Sequence, residues 1–184
     1  MMNLDQARQL MHEWVESEAL RVHMETVSAC CAAYAAANAP DETEIWAVAG
    51  LLHDMDYEKH PTREEHPFVG VKTLEQLDVD PQIIRAILGH ASYTGVPRDT
   101  DLAKTLFAVD ELAGFIVACA KVRPNGISDL AAKSVKKKLK DKRFAAAVSR
   151  EEIEQGIAEL GVDRDEHITF CIQAIRNEAE RLGL

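Results

Sequence analysis

No stretch of the chain stays apolar for the roughly 18 residues that a membrane-spanning helix requires, so no membrane partner is expected. Its first residues, MMNLDQARQLMHEWVE, lack the basic start and apolar middle of a secretory signal. A cytoplasmic location is the expectation. The four cysteines, Cys30, Cys31, Cys119 and Cys171, form no CxxC pair. That argues against a disulfide framework or a zinc–thiolate site and for small apolar core residues. Basic residues are in deficit: 21 Lys and Arg against 31 Asp and Glu give a net charge of −10. A general nucleic-acid binder is therefore not expected. Alternating strand patterns, internal repeats, low-complexity tracts and linkers are also missing.

What is present is a 184-residue chain that is 47% apolar, enough for one domain with a substantial core. Charge is unevenly spread. Lys121 to Arg143 holds nine Lys and Arg against Asp129 and Asp141, so this segment carries +7 and the rest of the chain −17. A solvated helix face is the ordinary reading of the run KSVKKKLKDKR.

Apolar residues recur at helical spacing along almost the whole length. Asn3 or Asp5 can cap a first helix, and a second is expected over residues 18–38. Asp41 with Glu44 resembles a capping box for a third, ending near His53. A charged loop follows, with Pro67 suited to the first turn of the next helix. Further helices are expected over residues 80–90 and from Asp99. After the turn Pro124-Asn125-Gly126, three more are expected to start near Ser128, Ser149 and Asp163. The fold class is all-α: a single helical domain over residues 1–184, with a core at about 18–118 and a C-terminal extension over 124–184.

The stretch WAVAGLLHDMDYEKH (residues 46–60) begins as a core helix and delivers His53-Asp54 where that helix should end. Packing alone has no need of this pair. His23, His66, His90 and Asp110 lie on, or at the ends of, other expected helices. Each has an ordinary explanation: a core histidine for His23, a loop residue for His66, a helix C-cap for His90, a polar helix face for Asp110. Imidazole and carboxylate together suit zinc, iron or manganese. Side chains converging from separate helices are what a metal site inside a bundle requires.

The ordered set His23, His53-Asp54, Asp110 resembles the signature of the HD superfamily of metal-dependent phosphohydrolases, over about residues 18–118. The C-terminal third resembles small bacterial HD-domain proteins and adds no function of its own. The resemblance to the superfamily implies an all-α fold and hydrolysis of a phosphate ester or anhydride. It implies His23, His53, Asp54 and Asp110 as ligands of a first divalent transition metal (Fe, Mn or Zn). Asp54, His66 and His90 would serve a second. Asp54 would fix the ions, while Asp56 or Glu111 would move protons or orient ligands; Asp56 could instead be a cap or turn residue. The expected partner is a small phosphorylated substrate, with nucleotides among the candidates. Met55-Asp56 follows the HD pair in place of Ile-Gly, and there is no GYP motif for cyclic-dinucleotide cleavage. Two other classes share these residues: a metal- or ligand-binding regulatory module without turnover, and a di-iron oxygenase.

Overall fold

The computed structural model describes residues 2–184. It contains ten α-helices and, among the described residues, no strand. They are α1 (Leu4–Trp14), α2 (Glu18–Asn38), α3 (Thr43–Leu52), α4 (Phe68–Gln76), α5 (Pro81–His90), α6 (Asp101–Lys121), α7 (Ala132–Leu139), α8 (Arg150–Leu160), α9 (Arg164–Asn177) and α10 (Ala179–Leu182). Among the described residues, no helix is long and apolar enough to cross a membrane.

Two 21-residue helices, α2 and α6, form the centre. They pack on each other, α3 lies against α2, and α5 and α8 lie against α6. At ~1.5 Å rise per residue each is about 30 Å long, enough to run through the whole molecule. Apolar residues cover most of α6, including Leu106, Val109, Leu112, Phe115 and Ile116, because other helices surround it. All four cysteines are free and buried, in keeping with core packing. Trp46 and Phe115 are buried, and Trp14 packs at the core's edge.

Helix starts follow from capping. Asn3 forms a capping box with Gln6, Ser17 accepts from the Leu20 amide, and Ser149 accepts from the Glu152 amide. Asp163 takes two amides of the first turn of α9. Each satisfies donors that the helix itself leaves open.

Three expected starts are displaced. Asp41 does not open α3: Pro40–Glu42 is a 3-10 turn, and α3 begins at Thr43 without a side-chain cap. The proposed box partner Glu44 is engaged elsewhere, accepting from the Leu4 amide at 3.1 Å. Asp99 does not cap α6; Thr100 does, since Asp99 is drawn into a two-bond pair with Arg85. Ser128 does not start α7, which begins at Ala132. The Ser128 hydroxyl donates to the Asn125 carbonyl, and Arg176 binds the carbonyls of Ile127 and Leu130, fixing the segment as turns.

The C-terminal helices brace the centre. Gly156 of α8 lies directly on Ala108 of α6, where an added Cβ would come within 2.6 Å of the Ala108 Cα. His167 of α9 is buried; its Nε2 donates to the Ala108 carbonyl, and its Nδ1 accepts from the Tyr34 hydroxyl on α2. Burial holds this imidazole below its ordinary pKa, so it stays neutral and bridges α2, α6 and α9.

Candidate metal centre

Five helices bring six side chains together. His23 comes from the second turn of α2, and His53-Asp54 from the C-terminal end of α3. His66 comes from just before α4, His90 is the last residue of α5, and Asp110 lies at the middle of α6. Donor atoms of His23, His53 and Asp110 lie within 4.8 Å of one another, as do those of His53, Asp54 and His90.

The two oxygens of Asp54 divide the cluster. Oδ2 faces His23 Nε2 at 3.6 Å and His53 Nε2 at 3.4 Å. Asp110 Oδ1 closes this side, 3.0 Å from His23 Nε2 and 3.3 Å from His53 Nε2. Oδ1 of Asp54 faces the other way, 3.4 Å from both His66 Nε2 and His90 Nε2, which are 3.3 Å apart. Bonds of ~2.0–2.2 Å to a common ion place neighbouring donors roughly 3.0–3.6 Å apart. Both sides of Asp54 match that spacing.

The far sides of the rings set which nitrogen faces inward. His53 Nδ1 donates to the Gly50 carbonyl, His90 Nδ1 to the Ile87 carbonyl, and His66 Nδ1 to Asp56 Oδ1 at 2.7 Å. A carbonyl only accepts, so the ring nitrogen facing it must carry the proton. That leaves Nε2 of each neutral ring with its lone pair directed into the cluster. His53 Nε2 is buried with no hydrogen-bond partner. Its nearest polar neighbours are Asp110 Oδ1 at 3.3 Å and Asp54 Oδ2 at 3.4 Å, both at the long limit for a hydrogen bond. An orphaned buried nitrogen is costly, and an ion held between these groups relieves it. The residues therefore fit a divalent metal.

Electrostatics point the same way. Burial disfavours the imidazolium of His53, yet Asp54 and Asp110 overcome this and raise its pKa well above the ordinary value. Burial also disfavours the Asp54 and Asp110 carboxylates, but the facing imidazoles pull both well below their usual range. Below the raised His53 pKa the metal-free protein therefore holds a proton on this ring where a cation would sit, and the Nε2 lone pair is free only above it. A metal must displace that proton. Apparent metal affinity is expected to rise with pH while His53 holds its proton and to level off once pH exceeds its raised pKa. Metal titrations at a series of pH values check this; a flat profile would contradict it.

Asp56 sits behind the cluster. It is buried, its Oδ1 holds His66, and its Oδ2 accepts from the Gly70 amide at 2.7 Å. That amide belongs to the first turn of α4, whose N-terminus has no side-chain cap of its own. A carboxylate suits the positive end of a helix. Glycine at position 70 lets the carboxylate approach this closely, since an added Cβ would lie 3.1 Å from the Asp56 Cγ and press the carboxylate back. Both Asp56 oxygens are therefore used, and it does not line the cavity.

A cavity of about 370 Å³ opens onto His23, Asp54, His66, His90 and Asp110. Tyr57, Ser92, Tyr93, Glu111 and Glu152 also line it, with Leu20 and Ala91, and no Lys or Arg does so among the described residues. Burial and the charge of Asp110 raise the Glu111 carboxyl to about 7, although the Ser149 amide it accepts at 2.6 Å opposes this. Glu152 is raised by the same two causes. Tyr93 donates to the His66 carbonyl at 2.9 Å, and Tyr57 packs edge-on against the His66 ring. The pattern of His and Asp residues did not point to Tyr57, Ser92, Tyr93 or Glu152. Nothing local marks them, and Glu152 reaches the cavity only because α8 crosses α6. Lys59, His60 and Arg63 of the charged loop stay outside. Lys59 sits over Trp14, His60 pairs with Glu65, and Arg63 stacks on Tyr93.

Helices from five parts of the chain converge on a histidine–aspartate cluster that could hold a metal ion, and together they define an all-helical domain. The HD domain pattern matches residues 21–114, just over half of the chain and inclusive of all six residues, and the chain belongs to the HD-domain family. Its members are in general metal-dependent hydrolases. No curated protein and no solved structure matches the chain significantly.

Proposed function

We propose that this protein is a metal-dependent phosphohydrolase that cleaves a phosphate ester or anhydride of a small molecule, with nucleotides among the candidate substrates. The observation that carries this reading is the division of Asp54: each oxygen faces its own pair of imidazole nitrogens at 3.4–3.6 Å. His23, His53, Asp54 and Asp110 would hold a first ion, and Asp54, His66 and His90 a second. Bound there, divalent ions supply hydroxide at neutral pH by lowering the pKa of water from ~15.7 toward ~7 and act as Lewis acids on the phosphoryl group.

The chain's own residues have definite tasks in this reading. With no basic side chain in the wall, the cavity has four carboxylates and depends on metal to accept an anionic phosphoryl group. Glu111 stands beside Asp110 with its carboxyl poised near neutrality, where it can carry a proton to a leaving oxygen. Asp56 holds the His66 ring with Nε2 inward, so it is a positioning residue rather than a catalytic one. We also read residues 1–184 as one domain, because α8 and α9 pack on the helices that carry Asp110 and His23.

Turnover of a panel of phosphomonoesters, nucleotides and phosphoanhydrides tests the reading, with Mn, Fe or Zn supplied. Phosphate release is expected, lost on chelation and restored by metal. Oxygen uptake on reduced iron without phosphate release would replace it with an oxygenase. Metal binding with no turnover of any kind would replace it with a binding module.

Two further outcomes follow from the unequal sides of Asp54. Replacing His66 and His90 together by Ala is expected to lower bound metal from two ions to one, because three protein groups hold the second ion and four hold the first. Elemental analysis after metal titration reads this; two tight ions in the double variant would contradict it. Asp56→Ala is expected to weaken the ion at His66 and His90 by about 10–100-fold, the usual effect of losing a group that orients a ligand. The His23 side should be unaffected, which separates positioning from general misfolding.

A further inference from the structure

A cavity of about 530 Å³ lies at the C-terminal end of α6, beyond the candidate metal centre at the middle of that helix. Asp110 and Cys119, which line the two sites, are nine residues apart on α6, roughly 13 Å along its axis. The floor is apolar: Cys119 and Leu130 are buried. Val122, 60% exposed, and Pro124 form the rim. Arg123, Lys137 and Lys138 stand on the walls with Ser134, opposed by Asp141 alone.

The positive charge here is more than the helix needs. Lys136, Lys137 and Lys138 occupy the last turn of α7, where a cation gains ~0.3–1 kcal/mol from the helix dipole. Lys136 pairs with Asp165, and Lys138 lies over the Phe144 ring. Lys137 is exposed and has neither kind of partner among the described residues. Arg123, in the turn two residues past the end of α6, faces the same space while paired with Asp129. The potential reaches the floor: burial raises the Cys119 thiol to about 11, and Lys138, Arg123 and Arg150 all pull against that rise.

We propose that this groove binds a small molecule in which a phosphate group is attached to an apolar or aromatic body. The phosphate would meet Lys137, Arg123 and the Ser134 hydroxyl, and the body would cover Val122, Pro124 and Leu130. The volume falls in the ~300–1,000 Å³ range of small-molecule sites. A long polyanion is disfavoured, because outside the +7 segment the chain carries −17 and would repel its flanking charges. The site is independent of the metal centre, whose metal-free wall of carboxylates repels anions.

The test uses the full chain in the presence of a chelator, titrated calorimetrically with phenyl phosphate, adenosine monophosphate and inorganic phosphate. The two phosphates with a ring are expected to bind more tightly than inorganic phosphate. The double variant Lys137→Glu, Lys138→Glu is expected to weaken all three by roughly 10-fold or more, as loss of charge-assisted hydrogen bonds does. Val122→Asp, a change at an exposed rim, is expected to weaken the ring-bearing probes more than inorganic phosphate. Asp54→Asn should leave binding unchanged. No saturable binding by the wild type would overturn the proposal, as would equal affinity for inorganic and phenyl phosphate. So would loss of binding in Asp54→Asn. Preferential binding of an RNA oligomer or of anionic vesicles would also overturn it. None of these outcomes depends on whether the metal centre hydrolyses phosphate.

Discussion

An Asp54→Asn protein is expected to lose phosphohydrolase activity by about 10³-fold or more, since metal activation supplies several kcal/mol of transition-state stabilisation. Its helical circular dichroism should be unchanged. Asn keeps the shape of the side chain but removes the one charge shared by both halves of the cluster. What remains is His23, His53 and Asp110 on one side and two neutral imidazoles on the other. The second ion should be lost outright, and the first held more weakly. The fold should persist because Asp54 lies just past the end of α3, outside the apolar core that Leu51 and Leu52 enter. Kinetics, elemental analysis and thermal melts on the same preparation check all three. Wild-type turnover at matched metal content would remove Asp54 from the centre of the mechanism.

The metal-ligand candidates were legible in the sequence because the residue types are chemically unusual for their places. A histidine–aspartate pair at the end of a core helix, and a carboxylate amid the apolar residues of α6, have few structural reasons to exist. The architecture was legible for a related reason, since helical periodicity persists over most of the chain. What was not legible depends on partners distant in sequence. Asp56 reads as a proton carrier, a ligand-orienting residue, a cap or a turn residue until the His66 ring and the Gly70 amide are seen to take its two oxygens. Asp99 and Thr100 are both good caps, and Arg85, fourteen residues earlier, decides between them. Ser128 is a reasonable helix start until Arg176 captures the carbonyls around it. In each case a side chain with more than one competent role is assigned by a group that local pattern cannot supply.

The loop over residues 141–148 shows the same dependence and links the C-terminal helices to the site. Arg150 binds the carbonyls of Asp141, Phe144, Ala145 and Val148, and its guanidinium lies over the Phe115 ring. The loop ends at Ser149, whose hydroxyl caps α8 and whose amide is held by Glu111. The start of α8 is thereby tied to the residue beside Asp110, and the C-terminal helices bear on the metal centre without contributing one of the six clustered side chains.

Gly156→Val is the substitution expected to cost most stability. A Cβ at this position would lie 2.6 Å from the Ala108 Cα and 3.3 Å from its amide nitrogen, so backbone rather than a flexible side chain must move. Valine in place of glycine improves helix propensity by a few tenths of a kcal/mol. Overpacking of this kind costs about 1–3 kcal/mol or more, so the clash prevails. A net loss of about 2–3 kcal/mol corresponds to a fall in Tm of roughly 5–10 °C for a chain of this size. Ala108 is two residues before Asp110, and its carbonyl is held by His167. Pushing α8 away should therefore also displace Asp110 and weaken metal binding. Gly161→Ala is the control. Gly161 has φ +71° at the end of α8, with nothing within 4 Å of an added Cβ. That change should cost only about 1 kcal/mol of left-handed backbone strain and leave metal affinity intact. Equal loss of metal in both variants would show that affinity follows global stability rather than the contact of α8 with α6.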